Sequence, residues 1–358
     1  MIKLTINNQI VEVEDGSTIL QAAKKLGFFI PTFCHDDLDR LPGKECIGCS
    51  EYGECKMCSC KVEGADELVT ACDTPAKEGM VVWTESEEVK KARVEILERM
   101  LSIHPLDCLN CAKLGDCKLQ KYCEMYDVKD PAYVEEFEHR EKDMSNRFYF
   151  QEMDKCIRCG KCVKVCKELV GINALQMIAK DGRTYVVPNG GANMAETACV
   201  SCGNCVSVCP VGALMPKSQQ FFRAWETKKV VTTCSYCGVG CQIEYSVRNG
   251  KIVDAKPVNG PSNQGLLCVK GKFAFDFVNH KDRLTHPMIR KNGKLVRASW
   301  DEALNLVAKK IMAVKDEFGP DAIAGFSSAR TINEDNYLFQ KFLRAAVGTN
   351  NVDHCARL

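Results

Sequence analysis

The sequence predicts a multidomain α+β protein, in which several small cysteine-rich domains precede the start of an α/β domain. Three observations support this prediction. At 358 residues, the chain is long enough for two or three domains. Its 24 cysteines form closely spaced runs, and all but Cys355 precede Val269. After Ser299 the pattern changes to helix, strand and helix, which is typical of parallel pairing in an α/β domain.

The overall charge and the hydrophobic pattern exclude several classes of protein. Lysine and arginine total 48 against 47 acidic residues, a balance that does not favour nucleic-acid or membrane-surface binding. The first residues alternate like a strand and lack the basic start and apolar core of a signal peptide. No apolar stretch is long enough to suggest a membrane span. The sequence therefore predicts a cytoplasmic protein.

The cysteine runs favour iron–sulfur clusters over two alternatives. A disulfide scaffold is usually a short secreted chain, and zinc ribbons have isolated pairs of cysteines rather than runs of three or four. The observed spacings are those of cluster ligands. So many thiolate clusters are sensitive to oxidation, which predicts an anaerobe or a well-reduced cytosol.

Residues 1–80 contain the first set of thiols. Strand-like runs at Lys3–Ile6 and Ile10–Val13 precede a helix that Ser17 is expected to cap and that ends at Gly27. Four cysteines with plant-ferredoxin-like spacing follow, here named site A: Cys34, Cys55, Cys58 and Cys72. Cys46 and Cys49 form an alternative pair, and the run VEG–LVTAC around the other pair favours Cys55 and Cys58. Cys46 and Cys49 then remain for another metal, a partner or free thiols.

Residues 81–143 begin with a predicted helix from Glu87 to Leu101, for which Thr84 and Glu87 form a capping box. A histidine and three cysteines follow, here named site B: His104, Cys108, Cys111 and Cys117. Neutral imidazole in place of a thiolate removes negative charge, which raises the reduction potential of a cluster. Cys123 is left without a metal.

Residues 144–226 contain an internal duplication with bacterial ferredoxin spacing, in which the fourth cysteine of each run serves the cluster of the other run. Site C is therefore Cys156, Cys159, Cys162 and Cys209. Site D is Cys199, Cys202, Cys205 and Cys166. The segment Ala179–Asn193 between the runs is predicted to be a hairpin with a loop.

Residues 227–285 supply a further set, here named site E: Cys234, Cys237, Cys241 and Cys268. Its spacing alone permits zinc as well as iron–sulfur. In residues 286–358, Ser299 and Glu302 predict a capped helix to Phe318. A strand at Ala322–Phe326 and a helix at Asn333–Val347 are expected to follow.

These motifs resemble two groups of known proteins. Sites A and B with their surroundings resemble the amino-terminal 2Fe–2S and histidine-plus-three-cysteine 4Fe–4S domains of complex I's large iron–sulfur subunit and of iron-only hydrogenases. This resemblance implies a β-grasp fold for residues 1–80. The stretch from TTCSYCGVGC to LLCVKGKFAF resembles the entry domain of molybdopterin-dependent oxidoreductases, formate dehydrogenases above all. It implies a 4Fe–4S cluster at site E and a relay through Lys270 to a pterin.

The run GTNNVDHCARL is similar to the run that leads into the active-site residue of formate dehydrogenases. The resemblance implies a selenocysteine directly after Leu358, with Cys355 as a packed thiol beside it. It also implies molybdenum or tungsten held by two molybdopterin guanine dinucleotides in the complete enzyme.

The implied function is interconversion of formate and carbon dioxide, with electrons passing through four 4Fe–4S clusters to the 2Fe–2S cluster. The implied order is site E, then the two ferredoxin-like sites C and D, then site B, then site A. Expected partners are a flavin and iron–sulfur subunit that uses NAD(P)H, a ferredoxin or a hydrogenase, and these 358 residues alone are expected to be inactive on formate. The alternative is a non-catalytic electron-transfer subunit of a complex-I-like NADH dehydrogenase. Site E argues against an iron-only hydrogenase.

Overall fold

The computed structural model describes residues 1–35, 55–133 and 139–356, which belong to two compact units, Met1–Lys228 and Lys229–Leu358. Within those ranges, no helix has both the length and the apolar character needed to cross a membrane. The two units are mixed in secondary structure, as the sequence predicts.

The amino-terminal unit begins with a five-stranded mixed sheet and one helix. The elements are β1 (Ile2–Ile6), β2 (Gln9–Val13), α1 (Ile19–Lys25), β3 (Ser59–Val62), β4 (Val69–Thr70) and β5 (Val81–Trp83). The strand order is β2-β1-β5-β3-β4, with β1 parallel to β5 and antiparallel to β2. Alternate residues such as Leu4 and Ile6 are buried with Ile19 and Leu20 of α1, because successive strand side chains point to opposite faces. A mixed sheet around one helix is the arrangement expected of a β-grasp domain.

Helix α1 begins one residue later than predicted. Thr18, rather than Ser17, accepts a hydrogen bond from the Gln21 amide, and the Gln21 side chain accepts one from the Thr18 amide at 2.8 Å. This reciprocal pair requires a glutamine or glutamate three residues after the cap. Gln21 has that spacing from Thr18 and not from Ser17, which explains the correction.

Two helices form the next part, α2 (Glu87–Ser102) and α3 (Lys118–Met125), with a helical turn at Cys108–Asn110 between them. The start of α2 is as predicted, but the predicted cap is wrong. Ser86 accepts from the Val89 amide at 3.3 Å, whereas the Thr84 hydroxyl accepts from the side chain of Asn7 at 2.7 Å. Thr84 therefore joins α2 to the sheet instead of capping the helix.

The last part of this unit is a pseudo-symmetric pair of cysteine loops. Its strands and helices are β6 (Tyr149–Gln151), α4 (Lys161–Lys164), β7 (Leu175–Lys180), β8 (Arg183–Pro188), α5 (Asn204–Val208) and β9 (Leu214–Pro216). Single helical turns lie at Met153–Lys155, Val165–Leu169, Met194–Glu196, Lys217–Phe221 and Ala224–Glu226. Strands β6 and β9 pair antiparallel and tie the ends together. The predicted hairpin is confirmed as β7 paired with β8.

The carboxy-terminal unit contains a three-stranded sheet, a hairpin and a small parallel pair. Its strands are β10 (Lys228–Thr233), β11 (Gln242–Arg248), β12 (Lys251–Pro257), β13 (Met288–Lys291), β14 (Lys294–Arg297), β15 (Gly325–Ser327) and β16 (Val352–His354). Its helices are α6 (Val269–Phe273), α7 (Trp300–Phe318) and α8 (Asn333–Phe342), with helical turns at Asp276–Asn279, Pro320–Ala322 and Leu343–Val347.

Most predictions for this unit hold. Ser299 caps α7 by accepting from the Glu302 amide at 3.1 Å, and β15 pairs parallel with β16 as expected. The predicted strand at Ala322–Phe326 is wrong at its start, because Pro320–Ala322 forms a helical turn and the strand begins only at Gly325.

Candidate iron–sulfur sites

Site A lies beside the five-stranded sheet, where Cys58 precedes β3 and Cys72 follows β4. The sulfurs of Cys34 and Cys55 are 3.3 Å apart, and those of Cys58 and Cys72 are also 3.3 Å apart. Two close pairs of thiols match the donor set of a 2Fe–2S cluster, which uses four thiolates. The alternative pair, Cys46 and Cys49, lies outside the described residues.

The hydrogen bond that the Cys55 thiol shares with Cys34, together with burial, raises the pKa of Cys55 well above the usual range. A metal ion binds the deprotonated sulfur, so cluster binding at site A would release protons.

Arg93 of α2 holds the loop of site A. Its side chain is fully buried. The guanidinium donates to the carbonyls of Met57 at 3.1 Å and Ser59 at 2.9 Å. It also pairs with Glu85 at 2.6 Å and donates to the hydroxyl of Tyr126 at 2.7 Å. One side chain therefore connects the cysteine loop of the sheet domain with both neighbouring helices.

Site B lines a cavity of about 400 Å³. All four predicted ligands face this cavity: His104, Cys108, Cys111 and Cys117. Burial, assisted by the positive charge of Lys155, lowers the pKa of His104 to about 4. The imidazole is therefore neutral at physiological pH, as a metal ligand must be. Cys123, which the spacing leaves outside the motif, lines the same cavity.

Sites C and D are two small cavities with crossed linings. Cys156, Cys159 and Cys162 line one cavity together with Cys209. The other cavity is lined by Cys166, Cys199, Cys202 and Cys205. The structure thus brings together the thiols in the crossed grouping that the spacing predicts, because α4 and α5 pack against each other. Whether these thiols bind iron stays a prediction.

The loops of sites C and D have matching backbones. Arg158 and Ser201 have φ of 58° and 55°, and Gly160 and Gly203 have φ of 73° and 76°. This left-handed geometry turns amides toward the cavity. The Arg158 amide donates to the first sulfur of site C at 3.4 Å, and the Ser201 amide donates to the first sulfur of site D at 3.3 Å. Successive amides of this kind stabilise bound anions, including iron–sulfur clusters.

Site B adjoins site C at Gly212. A Cβ atom on Gly212 would lie 2.7 Å from the Cys111 sulfur and 3.3 Å from the Lys155 Cδ, so only glycine permits this approach. The Lys118 amide also donates to the Pro210 carbonyl at 2.9 Å. The loop that follows Cys209 is therefore fixed against the loop of site B.

Sites A and C share apolar surroundings. Cys55 of site A and Cys159 of site C both pack against the hydrophobic core of the sheet domain. This core therefore lines one side of each site.

Site E surrounds the start of α6, since Cys268 caps this helix. The Cys234 amide donates to the Cys241 carbonyl at 2.8 Å and closes the loop. Burial raises the pKa of Cys234, and the charges of Cys268 and Cys237 add to that effect. These thiols are thus within electrostatic reach of one another.

Two lysines near site E differ in surroundings. Lys270, which the resemblance assigns to a relay, is exposed, with its ammonium 5.9 Å from the centroid of the Tyr236 ring. Lys272 is buried, 3.3 Å from Asp254 and 2.5 Å from the Ala255 carbonyl. Lys270 can therefore reach a ligand, whereas Lys272 is part of the fold.

A further cavity, of about 420 Å³, lies at the carboxyl ends of β15 and β16. Ser327, Asn336, Asp353 and His354 are among its lining residues. Ligands of α/β sheets bind at such strand ends. Cys355 is exposed, with its sulfur 3.6 Å from the Ser328 hydroxyl, so the prediction that it is packed is wrong for the described residues.

Sequence reasoning missed four residues that shape these sites: Arg93, Tyr149, Lys155 and Gly212. Arg93 carries no signal beyond a charge on the apolar face of a predicted helix. The other signals are ones of position in the sequence. Lys155 directly precedes the first cysteine of site C, and Gly212 follows shortly after its last cysteine.

Family models match five successive segments of the chain. They are described as a 2Fe-2S iron-sulfur cluster binding domain (residues 1–87), an NADH-ubiquinone oxidoreductase-G iron-sulfur binding region (93–132), a 4Fe-4S dicluster domain (151–215), a molybdopterin oxidoreductase Fe4S4 domain (227–280) and a molybdopterin oxidoreductase (283–358). The predicted kinds of cofactor domain, for 2Fe–2S, 4Fe–4S and molybdopterin, are confirmed. The matches run from models of iron–sulfur domains in the amino-terminal part to models described as molybdopterin oxidoreductase in the carboxy-terminal part.

Three curated relatives illustrate the similarity. The NADPH-Fe(3+) oxidoreductase subunit alpha of Geobacter sulfurreducens is 38% identical over 100% of this chain and 40% of its own length. An NADH-quinone oxidoreductase subunit of Rhizobium meliloti is 38% identical over 100% and 40%. The "Putative formate dehydrogenase YrhE" of Bacillus subtilis is 34% identical over 99% and 40%. The chain therefore spans about 40% of the length of these relatives.

A solved structure shares the fold. A chain of the NAD+-reducing [NiFe]-hydrogenase in the H2-reduced state superposes with a TM-score of 0.54 and 24% sequence identity. The match covers 62% of this chain and 90% of that chain.

Proposed function

We propose that this chain is the electron-transferring part of a molybdopterin-dependent formate dehydrogenase, with a 2Fe–2S cluster at site A and 4Fe–4S clusters at sites B to E. The observation that carries the electron-transfer part of this proposal is the crossed grouping of thiols in sites C and D. Two adjacent cavities, each lined by four sulfurs from both halves of the duplication, suit two clusters in close succession.

The residues present fit these cofactors. Each site offers four thiols or three thiols and a neutral imidazole, and amides donate to sulfurs at several sites. When bound, the clusters would pass single electrons, while a pterin-bound molybdenum or tungsten would exchange two electrons with formate or carbon dioxide. The chain itself supplies placement, apolar surroundings and hydrogen bonds to sulfur, which set the potentials.

Contacts within the amino-terminal unit suggest a revised electron route. Cys111 of site B lies against Gly212 beside site C, and Cys55 of site A shares a core with Cys159 of site C. Site C thus lies against site B and shares a hydrophobic core with site A. We infer that electrons can reach site A from site C without passing through site B, in contrast to the linear order that the resemblance implies.

At the other end, Lys270 is the proposed link between site E and the pterin. Its side chain is exposed beside Tyr236, and the cavity at the ends of β15 and β16 is the proposed start of the pterin site. The selenocysteine expected after Leu358 stays a prediction from the resemblance. Formate is the proposed substrate because the Bacillus subtilis relative is named for it.

The proposed electron partner is a flavin and iron–sulfur subunit that uses NADH or NADPH. The names of the Geobacter sulfurreducens and Rhizobium meliloti relatives include NADPH and NADH. A ferredoxin or a hydrogenase is the other proposed type of partner.

A second candidate is a non-catalytic electron-transfer subunit of a complex-I-like NADH dehydrogenase. The observation that favours it is the match of residues 93–132 to the NADH-ubiquinone oxidoreductase-G region, together with the Rhizobium meliloti relative.

One experiment separates the two functions. The complete protein would be produced anaerobically with selenium, analysed for molybdenum, tungsten and pterin, and assayed for formate-dependent dye reduction. Bound pterin with activity supports the dehydrogenase, whereas intact clusters without pterin or activity support the electron-transfer subunit. In the active protein, Lys270→Ala is expected to slow reduction of the cluster EPR signals by formate, while Lys281→Ala, at another exposed lysine of the same unit, is expected to leave it unchanged.

A further inference from the structure

Lys155 is a buried cation between two of the candidate sites. It directly precedes Cys156, the first thiol of site C, and its side chain is only 4% exposed. The ammonium lies 2.6 Å from Glu152 and 3.5 Å from Asp107. Asp107 belongs to the loop of site B, next to Cys108, so this one side chain extends from one site to the other.

The position of Lys155 depends on the close approach at Gly212. The Lys155 Cδ and the Cys111 sulfur both lie against the space that a side chain at Gly212 would fill, at 3.3 Å and 2.7 Å. The lysine stem is therefore packed beside a thiol of site B while the backbone of Lys155 is joined to a thiol of site C. The positive charge is fixed beside the loop of site B by packing and by two carboxylates, on a residue that is bonded to the first ligand of site C.

The duplicated half of the domain has no counterpart of this lysine. Ala198 occupies the equivalent place before Cys199, the first thiol of site D. The two ferredoxin-like sites share their loop geometry, and this charge is one of several by which they differ, since Arg158 and Lys161 correspond to Ser201 and Asn204. Site D is therefore an internal reference in the same molecule.

We propose that the positive charge of Lys155 raises the reduction potentials of the clusters at sites B and C together and leaves the potential of the cluster at site D nearly unaffected. This inference rests on the proposed function, because it requires clusters at these sites. Lys155 binds no iron and acts through its charge alone.

The physical reason is electrostatic. Reduction adds one negative charge to a cluster, and a nearby cation stabilises the reduced form. The interaction is strong in a poorly polarisable interior and falls with distance. Net charge around a cluster is one of the factors that set its potential. Glu152 and Asp107 oppose this effect, and each carboxylate partly cancels the lysine.

The decisive variant is Lys155→Met, which keeps the packed stem and removes the charge. In the full chain with its clusters, EPR-monitored redox titration is expected to show lower potentials at sites B and C and no change at site D. Lys155→Arg, which keeps the charge, is expected to restore both potentials toward the original values.

A second variant is expected to shift the reduction potential in the opposite direction. Asp107→Asn removes a carboxylate beside the lysine and is expected to raise the potential at site B more than at site C. If Lys155→Met fails to assemble its clusters, the shift in Asp107→Asn tests whether charge at this place controls the potentials.

The outcomes separate the inference from the function on which it rests. Unchanged potentials at sites B and C, or an equal shift that includes site D, would overturn the inference while the clusters remain. If the unmodified chain holds no clusters at sites B and C by EPR and iron analysis, the proposed function itself fails.

Discussion

The hydroxyl of Tyr149 lies 3.4 Å from the sulfur of Cys199, the first thiol of site D. Tyr149 is fully buried on β6, and burial raises its pKa far above the usual range. The hydroxyl therefore keeps its proton and would donate to the sulfur once Cys199 is a thiolate ligand of a cluster. Hydrogen bonds to ligand sulfurs raise the potential of a cluster. Tyr149→Phe is expected to lower the potential of the site D cluster alone, measured by EPR-monitored titration.

The matched control for Tyr149 is Tyr133→Phe, which removes a hydroxyl from a half-exposed tyrosine. It is expected to change none of the potentials. A shift of sites C and D by the same amount in Tyr149→Phe would contradict the assignment of this hydrogen bond to one cluster.

His104→Cys tests the imidazole at site B. A thiolate in its place adds negative charge, so the cluster is expected to remain and to titrate at a lower potential. EPR and Mössbauer spectra of the anaerobic protein would follow both changes. An unaltered potential and spectrum would mean that His104 is not a ligand.

Arg93→Ala tests the link between the site A loop and the helices. It leaves the carbonyls of Met57 and Ser59 without this donor, while the half-exposed Glu85 keeps its hydrogen bond from Tyr126. Each buried carbonyl left without a partner costs about 1–3 kcal/mol. We expect a lower thermal midpoint and weaker retention of the 2Fe–2S EPR signal. Arg99→Ala, at an exposed position of the same helix, is expected to change stability by at most about 0.5 kcal/mol.

The ion pair between Lys272 and Asp254 is expected to hold the site E domain together. Both side chains are almost fully buried, at 2% and 3% exposure. Asp254→Asn removes one charge of the pair, which typically costs about 3–5 kcal/mol. The free energy of unfolding would be measured in denaturant.

Glu302→Gln is the control for that ion pair. Lys291 and Glu302 also form an ion pair between one lysine and one carboxylate, at 2.8 Å, but on the surface. Exposed pairs contribute at most about 1 kcal/mol. Equal effects of Asp254→Asn and Glu302→Gln would show that burial of the first pair is not what makes it important.

The sequence predicted the parts of the molecule that depend on local spacing. The ligand groupings of sites C and D follow from fixed offsets between cysteines. Helix α7 begins directly after Ser299 because this cap and Glu302 are close in sequence. The prediction that Thr84 caps α2 is wrong for a non-local reason. The Thr84 hydroxyl accepts a hydrogen bond from Asn7, which lies far away in the chain, and no local pattern reveals that partner.

The surroundings of the sites were harder to predict for the same reason. Arg93, Tyr149 and Lys155 act on cysteines or loops that are distant in sequence, and their roles depend on how the domains pack. Spacing identifies which thiols belong together, whereas tertiary packing decides which charges and hydroxyls lie beside them. Cys123 illustrates this limit, since it falls outside every motif and still lines the cavity of site B.

The crossed linings of sites C and D bear on how the protein is made. A ribosome that has finished the first cysteine run has produced three thiols of one site and one of the other. Site D becomes complete only with Cys205, and site C only with Cys209. Iron loading of this domain must therefore wait until nearly all of it has been synthesised, whereas site A has its four thiols once Cys72 has been added. Delivery of iron and sulfide during translation would accordingly begin at the amino terminus and reach the paired sites as one late event.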